Sequence, residues 1–167
     1  MRSMSLLIGL CSVLVSCCTQ THAQGLSARN SLAVPRVVFV CEHGSVKSLV
    51  AMVYFNHMAQ ERGLAYRAVA RGTAPEPSVP SPVRDGLLAD GIDVSTFQPR
   101  QFKASDLDRA SLVVSFDQNV GDIVGARARY LQWDDLPGVL TDFARGRDEI
   151  VRHVDELINE LASRNAP

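Results

Sequence analysis

The stretch that decides the fold is Val37-Val38-Phe39-Val40-Cys41-Glu42-His43-Gly44-Ser45-Val46-Lys47-Ser48. Its first four residues are β-branched or aromatic, which predicts a buried strand over 37–40. The residues that follow are mostly small or polar, and apolar residues and good helix formers from Leu49 to Met58 predict the first helix. A strand therefore brings Cys41 into a polar loop that ends at the N-terminus of a helix.

This loop has the properties of an oxyanion-binding site. A helix N-terminus presents unpaired N–H groups and the positive end of a dipole, which favour phosphate-like anions. The same field favours the thiolate of Cys41, and the Ser48 hydroxyl is placed to donate a hydrogen bond to that sulfur. Lys47 adds a full positive charge. The predicted oxyanion-binding residues are those that follow the cysteine: Glu42, His43, Gly44, Ser45, Val46, Lys47 and Ser48.

Two known types of loop share part of this pattern. The nucleotide-binding loop, Gly-x4-Gly-Lys-Ser/Thr, would need glycines where Cys41 and Val46 stand, which argues against it. The cysteine phosphatase loop, Cys-x5-Arg-Ser/Thr, has the correct spacing from Cys41, but position 47 is lysine. The spacing therefore favours a cysteine nucleophile whose cationic partner is altered.

Length and composition restrict the alternatives. With 167 residues, 46% of them hydrophobic, the chain can bury one core but is too short for two ordinary domains. The net charge of −1 provides no basic excess, so no nucleic-acid partner is predicted. Histidine and cysteine are too few and too scattered for a structural zinc site, and neither a metal nor an organic cofactor is predicted.

The N-terminal residues differ from the rest of the chain. Met1-Arg2 is positively charged, residues 4–18 are uncharged and rich in Leu, Ile and Val, and Thr21-His22-Ala23 offers a cleavage site, which together predict a secretory signal peptide over 1–23. The apolar segment is shorter than the ~20 residues that span a bilayer. Two alternatives stay open: an uncleaved membrane anchor, and a lipoprotein signal over 1–16 with lipidated Cys17. Each implies an exported domain, either periplasmic or attached to the membrane only through this segment or its lipid.

Residues 24–35 are polar and aperiodic, which predicts a linker before a domain over 36–165. Within that domain Cys41 is the only cysteine, so no internal disulfide can form. A solitary cysteine is usually a small buried hydrophobe, but its position before a polar loop favours a nucleophile.

Strands and helices alternate along the domain. Further strands are predicted over 65–70, 111–116 and 130–133, and further helical segments over 83–90, 105–108 and 142–163. Alternation of this kind predicts an α/β fold with a four-stranded, mostly parallel sheet covered by helices on both faces. Ligands of such sheets bind beyond the carboxyl ends of the strands, where Cys41, Thr73, Asp117 and Asp134-Asp135 fall.

The chain resembles the low-molecular-weight protein tyrosine phosphatase family, which includes a branch of arsenate reductases. Besides the Cys41 loop, Ala70-Arg71-Gly72-Thr73 is similar to the family's Ser-Ala-Gly-Thr, and Gly91-Ile92-Asp93 matches its Gly-Ile-Asp. Phe116-Asp117-Gln118-Asn119 resembles its Met-Asp-x-x-Asn, and residues 133–137 resemble the Asp-Pro loop that carries the general acid.

The resemblance implies hydrolysis of phosphomonoesters through a cysteinyl phosphate, with a phosphorylated substrate or a free oxyanion as the partner. Cys41 would be the nucleophile, Lys47 and the loop N–H groups would hold the oxyanion, and Ser48 would steady the thiolate. Asp134 or Asp135 would protonate the leaving group.

The departures from the family pattern affect residues that would bind the phosphoryl group or transfer a proton. Lysine is a flexible point charge, whereas arginine is a planar fork that can hold two phosphate oxygens. Glu42 would repel a dianion if it pointed into the pocket; alternatively, it faces solvent. Leu136 separates Asp135 from Pro137, and the residues that follow lack the family's tyrosines. Three functions therefore remain: an exported phosphatase-like hydrolase, an arsenate reductase that uses an external thiol, and a catalytically silent oxyanion-binding module.

Overall fold

The computed structural model describes residues 34–164, and its centre is a single parallel sheet. The sheet contains β1 (Arg36–Cys41), β2 (Arg67–Gly72), β3 (Ala110–Phe116) and β4 (Arg129–Trp133), in the order β2-β1-β3-β4. The predicted four-stranded parallel sheet is confirmed. Because all the strands run the same way, their carboxyl ends form one edge.

Helices cover both faces of this sheet, as predicted. The helical segments are α1 (Lys47–Glu61), α2 (Ser81–Ala89), a 3-10 helix (Ala104–Arg109), α3 (Gly121–Val124) and α4 (Phe143–Arg164). Side chains alternate along β1, so that Val37 and Phe39 pack in the core beneath α1, α2 and α4. Val38 and Val40 pack on the opposite face, against the 3-10 helix and α3. Helix α4 packs a regular apolar stripe into the core that contains Val37 and Phe39. This periodic stripe explains why the helix could be predicted from the sequence.

Several elements differ from the sequence predictions by a few residues at their ends, and one helix was not predicted. Helix α1 begins at Lys47, two residues before the predicted start at Leu49, so the loop is shorter than expected. Strand β2 spans Arg67–Gly72 instead of 65–70, because its register with β1 places Gly72 beside Cys41. Helix α3 was not predicted, since one helical turn is too short to produce a periodic pattern.

The signal-peptide prediction and most of the linker lie outside the described residues and stay predictions. Among the described helices, none is both long and apolar enough to cross a membrane.

Candidate active site

The carboxyl edge of the sheet encloses a cavity of about 290 Å³ at the end of β1. Its lining comes from three segments: Cys41, Glu42, His43, Val46 and Lys47; then Phe116, Asp117 and Gln118; then Gly138, Val139, Leu140 and Thr141. A larger open groove of about 670 Å³ follows the outer edge of β2, but no cysteine lines it. The cavity that contains Cys41 is therefore the candidate active site.

The sulfur of Cys41 has hydrogen-bonding partners on two sides. Its Sγ lies 3.1 Å from the Ser48 hydroxyl oxygen, and the Gly44 backbone N–H donates to it at 3.2 Å. Cys41 is only 4% exposed and Ser48 is fully buried. Hydrogen bonds to an ionised acceptor are among the stronger ones in proteins. This arrangement suits a thiolate at the floor of the cavity.

Two glycines allow the loop to lie directly against the end of β2. Gly44 has a φ of +69°, and a Cβ there would come within 2.8 Å of the Gly72 nitrogen. A Cβ on Gly72 would in turn come within 2.8 Å of the Glu42 carbonyl oxygen. Neither position has room for a side chain.

The segment after β2 braces the loop through its backbone. The N–H groups of Thr73, Ala74 and Glu76 donate to the carbonyls of Cys41, Glu42 and His43 at 3.0, 2.8 and 3.2 Å. These bonds hold the backbone of residues 41–43 against the segment that follows β2.

Glu76 is a site residue that the sequence reasoning missed. Its carboxylate accepts a hydrogen bond from the buried Ser45 hydroxyl at 3.0 Å, and it lies 3.8 Å from Nε2 of His43. Its only signal in the sequence was a position in a Pro- and Ser-rich loop, which does not indicate a partner 31 residues away.

Lys47 is engaged with protein groups. Its Nζ lies 2.5 Å from Oδ2 of Asp117 and donates to the Leu136 carbonyl at 3.0 Å. The lysine side chain is 15% exposed, whereas that of Asp117 is 46% exposed. One ammonium group therefore connects the anion loop to the segments that follow β3 and β4.

The two aspartates predicted as general acids lie apart from this cavity. Asp134 and Asp135 are exposed at the end of β4, and neither lines the cavity of Cys41. The Asp134 carboxylate accepts a hydrogen bond from the Gln132 side chain at 2.8 Å. Asp135 has a φ of +60° and lines a separate surface groove beside α4. The carboxylates that do line the cavity belong to Glu42 and Asp117.

The other predicted loop residues divide into two groups. Glu42, His43, Val46 and Lys47 line the cavity with Cys41, whereas Gly44, Ser45 and Ser48 are buried behind it. Glu42 is exposed and His43 is partly exposed, so both lie near the mouth.

The sequence over residues 36–130 matches the family model described as low molecular weight phosphotyrosine protein phosphatase. The chain belongs to this family. Family members are cysteine-dependent phosphatase-like enzymes, as the resemblance of the motifs implied. The match ends at Tyr130, before the segment that carries Asp134 and Asp135. A comparison of the sequence with curated proteins finds no match.

Solved structures of the family share the fold. YfkJ from Bacillus subtilis has a TM-score of 0.70 at 17% identity, over 80% of this chain and 98% of its own. The low molecular weight protein tyrosine phosphatase of T. tengcongensis has a TM-score of 0.67 at 21% identity, over 75% and 99%. The thioredoxin-dependent arsenate reductase of Corynebacterium glutamicum has a TM-score of 0.67 at 21% identity, over 79% of this chain. The match spans only 64% of that reductase's length. At these identities the similarity is one of fold.

Proposed function

We propose that the chain is an exported cysteine-dependent hydrolase of phosphomonoesters. The observation that carries the proposal is the environment of Cys41, whose Sγ receives the Gly44 N–H and adjoins the Ser48 hydroxyl at the floor of a cavity. A thiolate in that position can attack a phosphorus atom held by the loop.

The reaction follows from that arrangement in two displacements. The sulfur of Cys41 attacks phosphorus, the bond from phosphorus to the leaving oxygen breaks, and that oxygen takes up a proton. Water then attacks the cysteinyl phosphate, the S–P bond breaks, and orthophosphate and the thiolate are released. Through both steps the loop N–H groups and Lys47 hold the remaining oxygens, and such positioning provides most of the catalysis of phosphoryl transfer.

We expect Lys47 to limit the rate of phosphoryl transfer. Its ammonium must leave Asp117 or share its hydrogen bonds before it can hold the phosphoryl group. It also lacks the planar fork of arginine. We therefore expect activity lower by ~10²–10³ than with an arginine clamp, the effect of losing one oxyanion donor.

The test is hydrolysis of 4-nitrophenyl phosphate by the full chain, beside Cys41→Ser and Lys47→Arg. We expect Cys41→Ser to lose all turnover while it keeps the parent's thermal unfolding midpoint, and Lys47→Arg to gain turnover. Hydrolysis that survives Cys41→Ser would contradict the proposal.

A second candidate is an oxyanion-binding module without turnover, which the Lys47–Asp117 ion pair favours because it engages the ammonium group that would otherwise support the transferring phosphoryl group. This candidate predicts that phosphate raises the unfolding midpoint of Cys41→Ala while the parent is inert. Arsenate reduction would require an external thiol, since Cys41 is the sole free cysteine of residues 34–164. Thiol-dependent release of arsenite from arsenate would identify that activity.

Export is proposed on the sequence of residues 1–23 alone. Expression in a bacterium, followed by fractionation and mass spectrometry of the N-terminus, tests it. A mature chain that begins at Gln24 indicates a cleaved signal peptide, whereas a lipidated Cys17 indicates a lipoprotein. An intact Met1 in the cytoplasmic fraction would contradict export.

A further inference from the structure

We propose that Asp117, at the end of β3, is the acid–base residue of this site in place of the aspartates that follow β4. The inference rests on the proposed phosphomonoesterase function. Asp117 lines the cavity together with Cys41, whereas Asp134 and Asp135 do not. A proton donor must come within hydrogen-bond reach of the leaving oxygen. Asp117 meets that condition better than the two aspartates on the outer surface, and it is the cavity carboxylate that contacts Lys47, whereas the other one, Glu42, is exposed.

The backbone places Asp117 at the cavity. Phe116 ends β3 in the core, and Asp117 follows with a φ of +53°, a conformation that few non-glycine residues adopt. Its carboxylate lies 2.5 Å from the Lys47 ammonium, within the same cavity lining. About half of the Asp117 side chain is exposed, so water reaches the carboxylate.

One carboxyl group can act as the acid in the first displacement and as the base in the second. In its protonated form Asp117 gives its proton to the leaving oxygen as the S–P bond forms and the P–O bond breaks. The carboxylate then takes a proton from the water that attacks the cysteinyl phosphate as the S–P bond breaks. The products are the alcohol and orthophosphate, and Asp117 is protonated again beside a free thiolate.

Lys47 links this cycle to anion binding. The ion pair seen in the structure corresponds to the carboxylate form of Asp117, the form that acts as the base. When a phosphoryl group enters the loop, it competes with Asp117 for the same ammonium group. Movement of Lys47 towards the anion releases the carboxyl group for proton transfer.

Substrates whose leaving groups differ in basicity can distinguish an acid–base role of Asp117 from a structural role. We would measure turnover of 4-nitrophenyl phosphate and phenyl phosphate by the full chain, Asp117→Asn, Asp117→Glu, Glu42→Gln and the double variant Asp134→Asn/Asp135→Asn. Asp108→Asn, an exposed aspartate of the 3-10 helix, is the matched control. The cysteinyl phosphate is quantified by mass spectrometry after acid quenching.

We expect Asp117→Asn to lose ~10²–10⁴ in turnover, the usual contribution of a general acid–base group. The loss should be larger for phenyl phosphate, whose poorer leaving group depends more on the proton. Cysteinyl phosphate should accumulate with 4-nitrophenyl phosphate, the pH profile should change, and Asp117→Glu should restore part of the rate. Asp108→Asn should match the parent.

Three results would overturn the inference alone. One is accumulation of the intermediate in the Asp134/Asp135 double variant or in Glu42→Gln, with Asp117→Asn turning over normally. Another is equal loss for both substrates in Asp117→Asn without an intermediate, which indicates that Asp117 only positions Lys47. A third is full turnover in Asp117→Asn with no other variant affected. A parent that neither turns over nor forms cysteinyl phosphate would instead overturn the proposed function, and this inference with it.

Discussion

The hydroxyl oxygen of Ser48, in the first turn of α1, lies 3.1 Å from Sγ of Cys41 at the end of β1. Both side chains are almost completely buried, so water cannot readily replace this hydrogen bond. This hydrogen bond therefore ties the end of β1 to the start of α1 across the anion loop.

Ser48→Ala should slow the alkylation of Cys41 by iodoacetamide. A hydrogen bond to a charged group is worth about 1.5–3 kcal/mol, so removing it should lower the rate at neutral pH about tenfold or more. Ser78→Ala, at an exposed serine of the loop after β2, is the control. An unchanged rate in Ser48→Ala would show that the Gly44 N–H alone maintains the reactive sulfur.

Gly44→Ala should cost more stability than Gly63→Ala, although both glycines have a positive φ. The left-handed backbone costs roughly 1–2 kcal/mol at either position. Only at Gly44 does the new Cβ also meet neighbouring atoms, since nothing lies within 4 Å of the Cβ position at Gly63. Thermal unfolding measures the difference, and phosphate protection should be lost in Gly44→Ala alone. Equal unfolding midpoints would contradict the close packing of the loop on Gly72.

Glu76→Ala should destabilise the anion loop because it leaves the buried Ser45 hydroxyl without its acceptor. An unsatisfied buried group costs about 1–3 kcal/mol. In a double-mutant cycle, Glu76→Ala should cost less when Ser45 is already alanine. Urea unfolding of the four proteins measures this coupling, and a coupling near zero would mean that the hydrogen bond contributes nothing.

Asp90 should make stability depend on pH. The hydrogen bond from Tyr54, at 2.6 Å, and the ion pair with Arg147 hold the pKa of its carboxyl below the usual value. The contribution is therefore complete above the usual aspartate pKa of about 3.9. It is lost as the pH falls through the lower pKa of the folded state.

Asp90→Asn should thus lower the unfolding midpoint at pH 7, and its difference from the parent should shrink as the pH is taken below about 3.9. Asp108→Asn controls for the general loss of a carboxylate. A difference that stays constant down to pH 2 would indicate that Asp90 stabilises the protein without its charge.

The residues around Cys41 show what local sequence can and cannot predict. The apolar run of β1, the loop from Cys41 to Ser48 and the periodic stripe of α4 were readable because each depends on residues close together in the chain. The order of strands and helices then implied a four-stranded parallel sheet, and the fold confirms that sheet.

The sequence by itself determined the strand, loop and helix around Cys41, since backbone propensity and apolar spacing act over a few residues. The tertiary structure alone decided which distant groups meet at that loop. Lys47 pairs with Asp117 across 70 residues, and Ser45 meets Glu76 across 31. The position of Asp134 and Asp135 outside the cavity likewise follows from the path of the chain after β4. Such pairings depend on strand order, strand register and loop packing. These features are set by the free energy of packing the whole core and not by any short stretch of sequence.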